Sequence, residues 1–108
     1  TLGYRPLAYV GAYSATKAAL IQVTKSQSIE LARYNICVNA LAPGYILTDI
    51  NRDQLGGETG DLLKKKIPLK RFATVEELDT IISMLLNTSN TYMTGAVVAV
   101  DGGLSTGL

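Results

Sequence analysis

Histidine is missing altogether from this sequence, which removes both the commonest metal ligand and the commonest general base. A single cysteine, Cys37, excludes an internal disulfide and any cysteine-based metal cluster. It lies within an apolar run, which predicts an inert core thiol. Charge of either sign is scarce in excess: the net is +1, so nothing draws the chain to nucleic acid or to an anionic membrane. The one lysine cluster, Lys64-Lys65-Lys66, is flanked by apolar residues and reads as a solvated helix face. No apolar stretch approaches the roughly 20 residues of a membrane-spanning helix. No signal peptide is visible, and the simplest compartment is a reducing cytoplasm. What remains, 47% hydrophobic and 18% charged residues in 108, describes at most one folded domain.

Against these absences stands Tyr13-Ser14-Ala15-Thr16-Lys17, at the start of a stretch that predicts a long helix. A tyrosine and a lysine four residues apart share one helix face, one turn apart. A phenol with its ordinary pKa of roughly 10 trades protons poorly at neutral pH. A fixed ammonium beside it favours the phenolate and makes the pair a candidate general acid/base. In isolation such a pair is a common surface contact, so the case rests on the rest of the chain.

Thr1 to Ala12 holds Gly3, Pro6 and Gly11 without periodicity and reads as a loop. From about Tyr13 to Tyr34 the spacing predicts a helix that is apolar around much of its circumference, hence buried on more than one side. Ile36 to Ala42 is a short apolar run stopped by Pro43-Gly44, and Ala96 to Val100 is a second between Gly95 and Asp101-Gly102-Gly103. Continuous apolar runs of this length suit strands covered on both faces, as in a parallel sheet. Thr48 to about Lys66, interrupted by Gly56-Gly57 and Gly60, predicts a pair of short helices. Thr74-Val75-Glu76-Glu77 has the form of a capping box opening a helix to about Asn87. The order is an α/β pattern. Two buried strands cannot cover themselves or satisfy their own edges, so the pattern demands more strands than it contains. The expectation is an incomplete domain, completed by further sequence or by a companion chain.

In this order and spacing the chain resembles the C-terminal half of a short-chain dehydrogenase/reductase. Tyr13-Ser14-Ala15-Thr16-Lys17 matches the family's Tyr-x-x-x-Lys signature. Val38-Asn39-Ala40-Leu41-Ala42-Pro43-Gly44, with Ile46 and Thr48 following, resembles its strand and Pro-Gly turn. Arg71-Phe72 ahead of Thr74 to Leu78, and the closing Val100-Asp101-Gly102-Gly103, also fit. The implied fold is the C-terminal part of a Rossmann-like doubly wound parallel sheet.

The resemblance also implies roles. Tyr13 would exchange a proton with a substrate carbonyl or alcohol oxygen. Lys17 would lower the pKa of Tyr13 and bind the nicotinamide ribose of NAD or NADP. Pro43 and Gly44 would lie against the nicotinamide ring, the Ile46 amide would fix its carboxamide, and Thr48 would hydrogen-bond the cofactor while capping the next helix. Asn39 and the Asp101-Gly102-Gly103 turn would be structural. The stretch from Thr48 to Leu69 would be a substrate lid. The implied substrate is a small carbonyl or secondary alcohol, as in 3-oxoacyl-carrier-protein reductases or sugar-acid dehydrogenases, and the implied assembly is a homo-oligomer, a dimer or tetramer. No metal is implied. The family's glycine-rich pyrophosphate turn, its NAD/NADP-selecting residue and its catalytic serine and asparagine do not occur in these 108 residues. The alternative is therefore a non-catalytic module that contributes an oligomer interface through the Tyr13–Tyr34 helix and the Ala96–Val100 strand.

Overall fold

The computed structural model describes residues 4–107, with side chains over 15–106. Helix α1 spans Tyr4–Leu31 and ends in a single 3-10 turn, Ala32–Tyr34. Asn35 closes that turn in the left-handed conformation, φ 60°, with its N–H donating to Ala32 O at 2.9 Å. The end of α1 thus falls where the periodicity placed it, but the beginning does not. The stretch expected to be a loop is helical from Tyr4, and residues 1–3 lie outside the described residues. Pro6 sits in the first turn, where the missing N–H would have had no intrahelical acceptor, so it breaks nothing. Gly11 inside the helix costs about 1 kcal/mol relative to alanine, too little to end it.

The rest of the order is β1 (Ala40–Pro43), β2 (Ile46–Leu47), α2 (Arg52–Leu55), α3 (Gly57–Lys66), β3 (Ala73–Thr74), α4 (Val75–Leu86) and β4 (Val97–Val100). β1 pairs with β4 and β2 with β3. The second pair is parallel, with Ile46 opposite Ala73 and Leu47 opposite Thr74. In the first, Ala40 N–H donates to Ala96 O and Gly44 N–H to Val100 O, equal steps in the same direction, which is the parallel arrangement the apolar runs predicted. β2 and β3, only two residues each, had no signature of their own. The expected two-part helix is present, and Gly56 marks the break; Gly60 lies inside α3 and does not interrupt it.

The described residues fall into two compact units, one running to Ala40 and including Thr91–Val97, the other comprising Leu41–Asn90 and the stretch from Val98. In the first, Asn39 acts as a structural clip, as expected. Its Nδ2 donates to Met93 O at 2.9 Å and its Oδ1 accepts from Ala96 N–H at 3.0 Å. Gly95 N–H donates to Val38 O, and Val38 N–H to the Thr94 hydroxyl. Thr24 and Ser28 of α1 are buried, and their hydroxyls donate to Leu20 O and Lys25 O within the helix. The helix is otherwise much less covered than its composition suggested, with Ile29 77% exposed. Cys37 is also exposed, contrary to the core position expected of it, because the run from Ile36 to Asn39 precedes the strand proper and has no sheet over it.

In the second unit the core consists of Ala42, Ile67 and Phe72. Tyr45 meets Phe72 edge to face, ring centroids 6.1 Å apart. The turn after β4 is built as expected around Asp101, whose Oδ1 and Oδ2 accept from Gly103 N–H and Ser105 N–H at 3.0 and 3.1 Å. That turn fastens onto the end of α3: Leu69 N–H donates to Gly102 O, and a side chain on Gly102 (φ +64°) would come within 2.9 Å of Ile67 Cγ2. The strands are not covered on both faces; β1 has one buried residue, Ala42, and every position of β4 is at least partly exposed. Exposed apolar residues also include Ile50, Leu69 and Leu86.

Candidate active site

The first component is carried by α1. Because the helix runs without a break from Tyr4 to Leu31, Tyr13 and Lys17 fall one turn apart on the same side of its backbone. The side chain of Tyr13 lies outside the described residues. Lys17 is half-buried, and among the described residues its ammonium has no hydrogen-bond or ion-pair partner.

The second component lies at the carboxyl ends of the strands, where ligands of open α/β sheets bind. Pro43 is the last residue of β1, and Gly44 follows it. Gly44 is tied down by its N–H to Val100 O at 3.0 Å, and a Cβ built on it would stand 2.7 Å from Asp101 Cβ and 2.8 Å from Asp101 Cα. Glycine is therefore demanded here by the crossing of another part of the chain, a reason the sequence alone did not reveal.

Ile46 opens β2, and Thr48 comes just past that strand's end. Thr48 was expected to cap the next helix, but the residue before α2 is Asn51. The two form a closed turn instead: Thr48 N–H donates to Asn51 Oδ1 at 2.7 Å, and Asn51 N–H approaches Thr48 Oγ1 at 3.3 Å. Asn51 Nδ2 also donates to Ile46 O at 2.7 Å, so one amide side chain fixes both cofactor candidates. A short polar side chain that can mimic a backbone turn explains why asparagine holds this place. Sequence reasoning missed Asn51 because its partners are backbone groups that carry no residue signature. Thr48 Oγ1 only accepts in this turn, so its proton has no acceptor among the described residues.

Thr48 lines a cleft of about 500 Å³ with Leu47, Asp49, Ile50 and Arg52 on one side and Thr74, Val75 and Glu76 on the other. That volume is within the range of about 300–1,000 Å³ usual for small-molecule sites. Leu47 and Ile50 provide apolar wall, and Thr48 and Arg52 provide donors, a set that suits a flat ring carrying a polar amide. Arg52 is weakly engaged by Asp49 at 3.5 Å, both well exposed. A smaller cavity of about 120 Å³, bordered by Tyr45, Ile67, Arg71 and Asp101, contains none of the candidate residues.

The far wall of the cleft is set by the start of α4. The capping box is present there, and Glu77 Oε1 accepts from Thr74 N–H at 3.0 Å. Arg71 then engages Glu77 with both ends of its guanidinium, at 2.7 and 2.8 Å, and Arg71 Nη1 also reaches Phe72 O at 3.3 Å. The Arg71 hydrogen bonds, followed by the Thr74 N–H, hold the Glu77 carboxyl at about 2, well below the usual carboxylate range. Glu77 in turn raises Arg71, first through the hydrogen bonds and then through its charge. Among the described residues no group of three or more His, Cys, Asp or Glu could hold a metal ion, and no helix is long and apolar enough to cross a membrane.

A helix carrying Tyr13 and Lys17, and parallel strands with irregular segments beyond their carboxyl ends, are features of an α/β fold of the open, doubly wound kind. Residues 3–105 match the family model described as enoyl-(acyl carrier protein) reductase, and the chain belongs to the short-chain dehydrogenase/reductase family. It is 45% identical over 92 residues to a 3-oxoacyl-[acyl-carrier-protein] reductase of Aquifex aeolicus, covering 85% of this chain and 37% of that protein. It is 40% identical over 94 residues to the ribulose-forming D-arabinitol 2-dehydrogenase of Scheffersomyces stipitis, covering 84% and 34%. A solved structure described as ElxO with NADP bound superposes with a TM-score of 0.75 at 32% identity, covering 85% of this chain and 38% of that one. The chain thus spans about a third of the length of these relatives. The parallel strands and the likeness to solved members bear out the Rossmann-like α/β class expected from the sequence.

Proposed function

We propose that this chain carries the proton-transfer and nicotinamide-side portion of an NAD(P)-dependent oxidoreductase that interconverts a small carbonyl compound and its secondary alcohol. The observation that carries the reading is the uninterrupted helix across Tyr13 and Lys17 in a chain of this family. Tyr13 donates its phenolic proton to the carbonyl oxygen in reduction, or takes the alcohol proton in oxidation. Lys17, one turn away, lowers the proton affinity of Tyr13 by placing a positive charge beside the developing phenolate, and holds ribose hydroxyls through its remaining N–H groups. A bound nicotinamide supplies or accepts the hydride. Pro43 and Gly44 would present a flat stretch of backbone to the ring, the Ile46 amide and the Thr48 hydroxyl would fix the carboxamide end, and Leu47 would provide apolar wall on one side.

The chain works as part of one larger domain, in which further sequence or a companion chain supplies the pyrophosphate-binding turn and covers the open sheet faces. The exposed Ile29, Ile50 and Leu86 and the two-stranded sheets support this reading. It operates in the cytoplasm as a homo-oligomer.

Fluorescence titration of the complete protein with NADH and with NADPH tests the assignment. Saturable binding is expected, and a well-folded sample that binds neither would favour a purely structural module. In the complete enzyme Tyr13→Phe abolishes turnover and spares cofactor binding, whereas Lys17→Ala damages both. Near-normal turnover in Tyr13→Phe would remove the assigned proton donor.

A further inference from the structure

The Arg71–Glu77 fork lies outside the cleft, yet a continuous chain of bonds runs from it to the two cofactor candidates Ile46 and Thr48. We propose that Arg71 and Glu77 are positioning residues for the Ile46–Thr48 segment, setting the geometry with which that segment meets the nicotinamide carboxamide. The inference rests on the functional reading above for its consequence, but its structural half stands on hydrogen bonds and packing alone.

Glu77 Oε1 accepts from both Arg71 Nη1, at 2.7 Å, and Thr74 N–H, at 3.0 Å. Arg71 therefore bridges the first turn of α4 to the chain entering β3, and its Nη1 also reaches Phe72 O. Phe72 is buried against Tyr45. The next residue, Ala73, donates its N–H to Tyr45 O at 3.0 Å, and β2 lies on β3 with Ile46 opposite Ala73 and Leu47 opposite Thr74. A strand of two residues has almost no stability of its own. The position of β2 is therefore held from outside, by the Asn51 side chain at its Ile46 and Thr48 flank and by β3 alongside it. In turn, β3 is anchored by the Arg71–Glu77 pair through Phe72 O and Thr74 N–H. A bidentate guanidinium–carboxylate contact fixes direction as well as distance, which a lysine in place of Arg71 would not reproduce.

Amide hydrogen exchange in the complete protein, compared with its Arg71→Lys and Glu77→Gln variants, tests the structural half. Glu77→Gln retains an oxygen for the Thr74 cap while removing the charge. Exchange is expected to accelerate about two- to five-fold at Ala73 and Thr48, the modest effect usual for an exposed pair, with Gly44 unchanged. NADH or NADPH affinity, read by fluorescence titration, is expected to fall by a similar factor. Unchanged exchange at Ala73 and Thr48 in both variants overturns the proposal, as does uniform acceleration that includes Gly44, since that would show general destabilisation. Absence of cofactor binding in the unsubstituted complete protein would instead count against the functional reading and leave the exchange result to decide this one.

Discussion

Gly44→Ala separates two reasons for a glycine at a proposed cofactor contact. An added methyl would stand 2.7 Å from Asp101 Cβ and 2.8 Å from Asp101 Cα, against the 3.5–4.0 Å at which carbons rest. The overlap approaches 1 Å and is partly with backbone, so no rotamer change can relieve it. Gly44 is not among the glycines with positive φ, so alanine meets no conformational strain there and would even restrict the unfolded chain. That benefit is about 0.4–1 kcal/mol, whereas overpacking costs about 1–3 kcal/mol. The net expectation is a loss of about 1–2 kcal/mol with no nucleotide present. With a urea m-value of about 1–3 kcal/mol/M, the midpoint followed by far-UV circular dichroism should fall by about 0.3–2 M. Exchange of the Gly44 amide, bonded to Val100 O, should rise in step. Adding Asp101→Gly should not restore the midpoint, because the overlap with the main chain at position 101 remains. An unchanged midpoint with lost cofactor binding would mean that the glycine serves ligand approach and not chain crossing. Full recovery in the double variant would mean that the Asp101 side chain alone is at fault.

Ile67 is 2% exposed and is the largest fully buried side chain among the described residues, so Ile67→Ala should cost about 2–5 kcal/mol in the same urea experiment. A loss below ~1 kcal/mol would show that the α3 end and the Gly102 turn do not form a packed core. Glu77 has a folded-state pKa depressed from 4.5 to about 2, so the stability it contributes is fully present above pH 5 and is lost as pH falls from about 4.5 through 2. Comparing acid titrations of the unsubstituted chain and Glu77→Gln should show a difference that vanishes below pH 2. A difference that persisted there would point to shape and not charge.

The local signals were legible because they depend on neighbours a turn away. The capping box at Thr74, the break at Gly56 and the end of α1 all follow from residues within a few positions. The start of α1 was not, since Gly3, Pro6 and Gly11 carry a loop signature. Pro6 is harmless only if the helix begins within the preceding three residues, which composition cannot specify. β2 and β3 were invisible for a different reason. Each has two residues, too few for periodicity, and each exists because the other lies alongside. Cys37 was misplaced because an apolar run was equated with a covered strand, whereas the strand itself begins three residues later at Ala40.

The site divides along the same line. Tyr13 and Lys17 are legible as candidates because a helix puts residues four apart on one side of its backbone without further information. The Pro43 to Thr48 segment is different, since its side chains do little of the positioning. Asn51 holds it from three residues beyond Thr48, Ala73 from the neighbouring strand, and Asp101 crosses beneath Gly44 from more than fifty residues away. A short irregular segment can present backbone groups to a ligand only if its own hydrogen bonds are satisfied from outside. Its geometry is therefore written in residues outside the motif, which is why the motif names candidate contact points while the groups that place them had to be found in three dimensions.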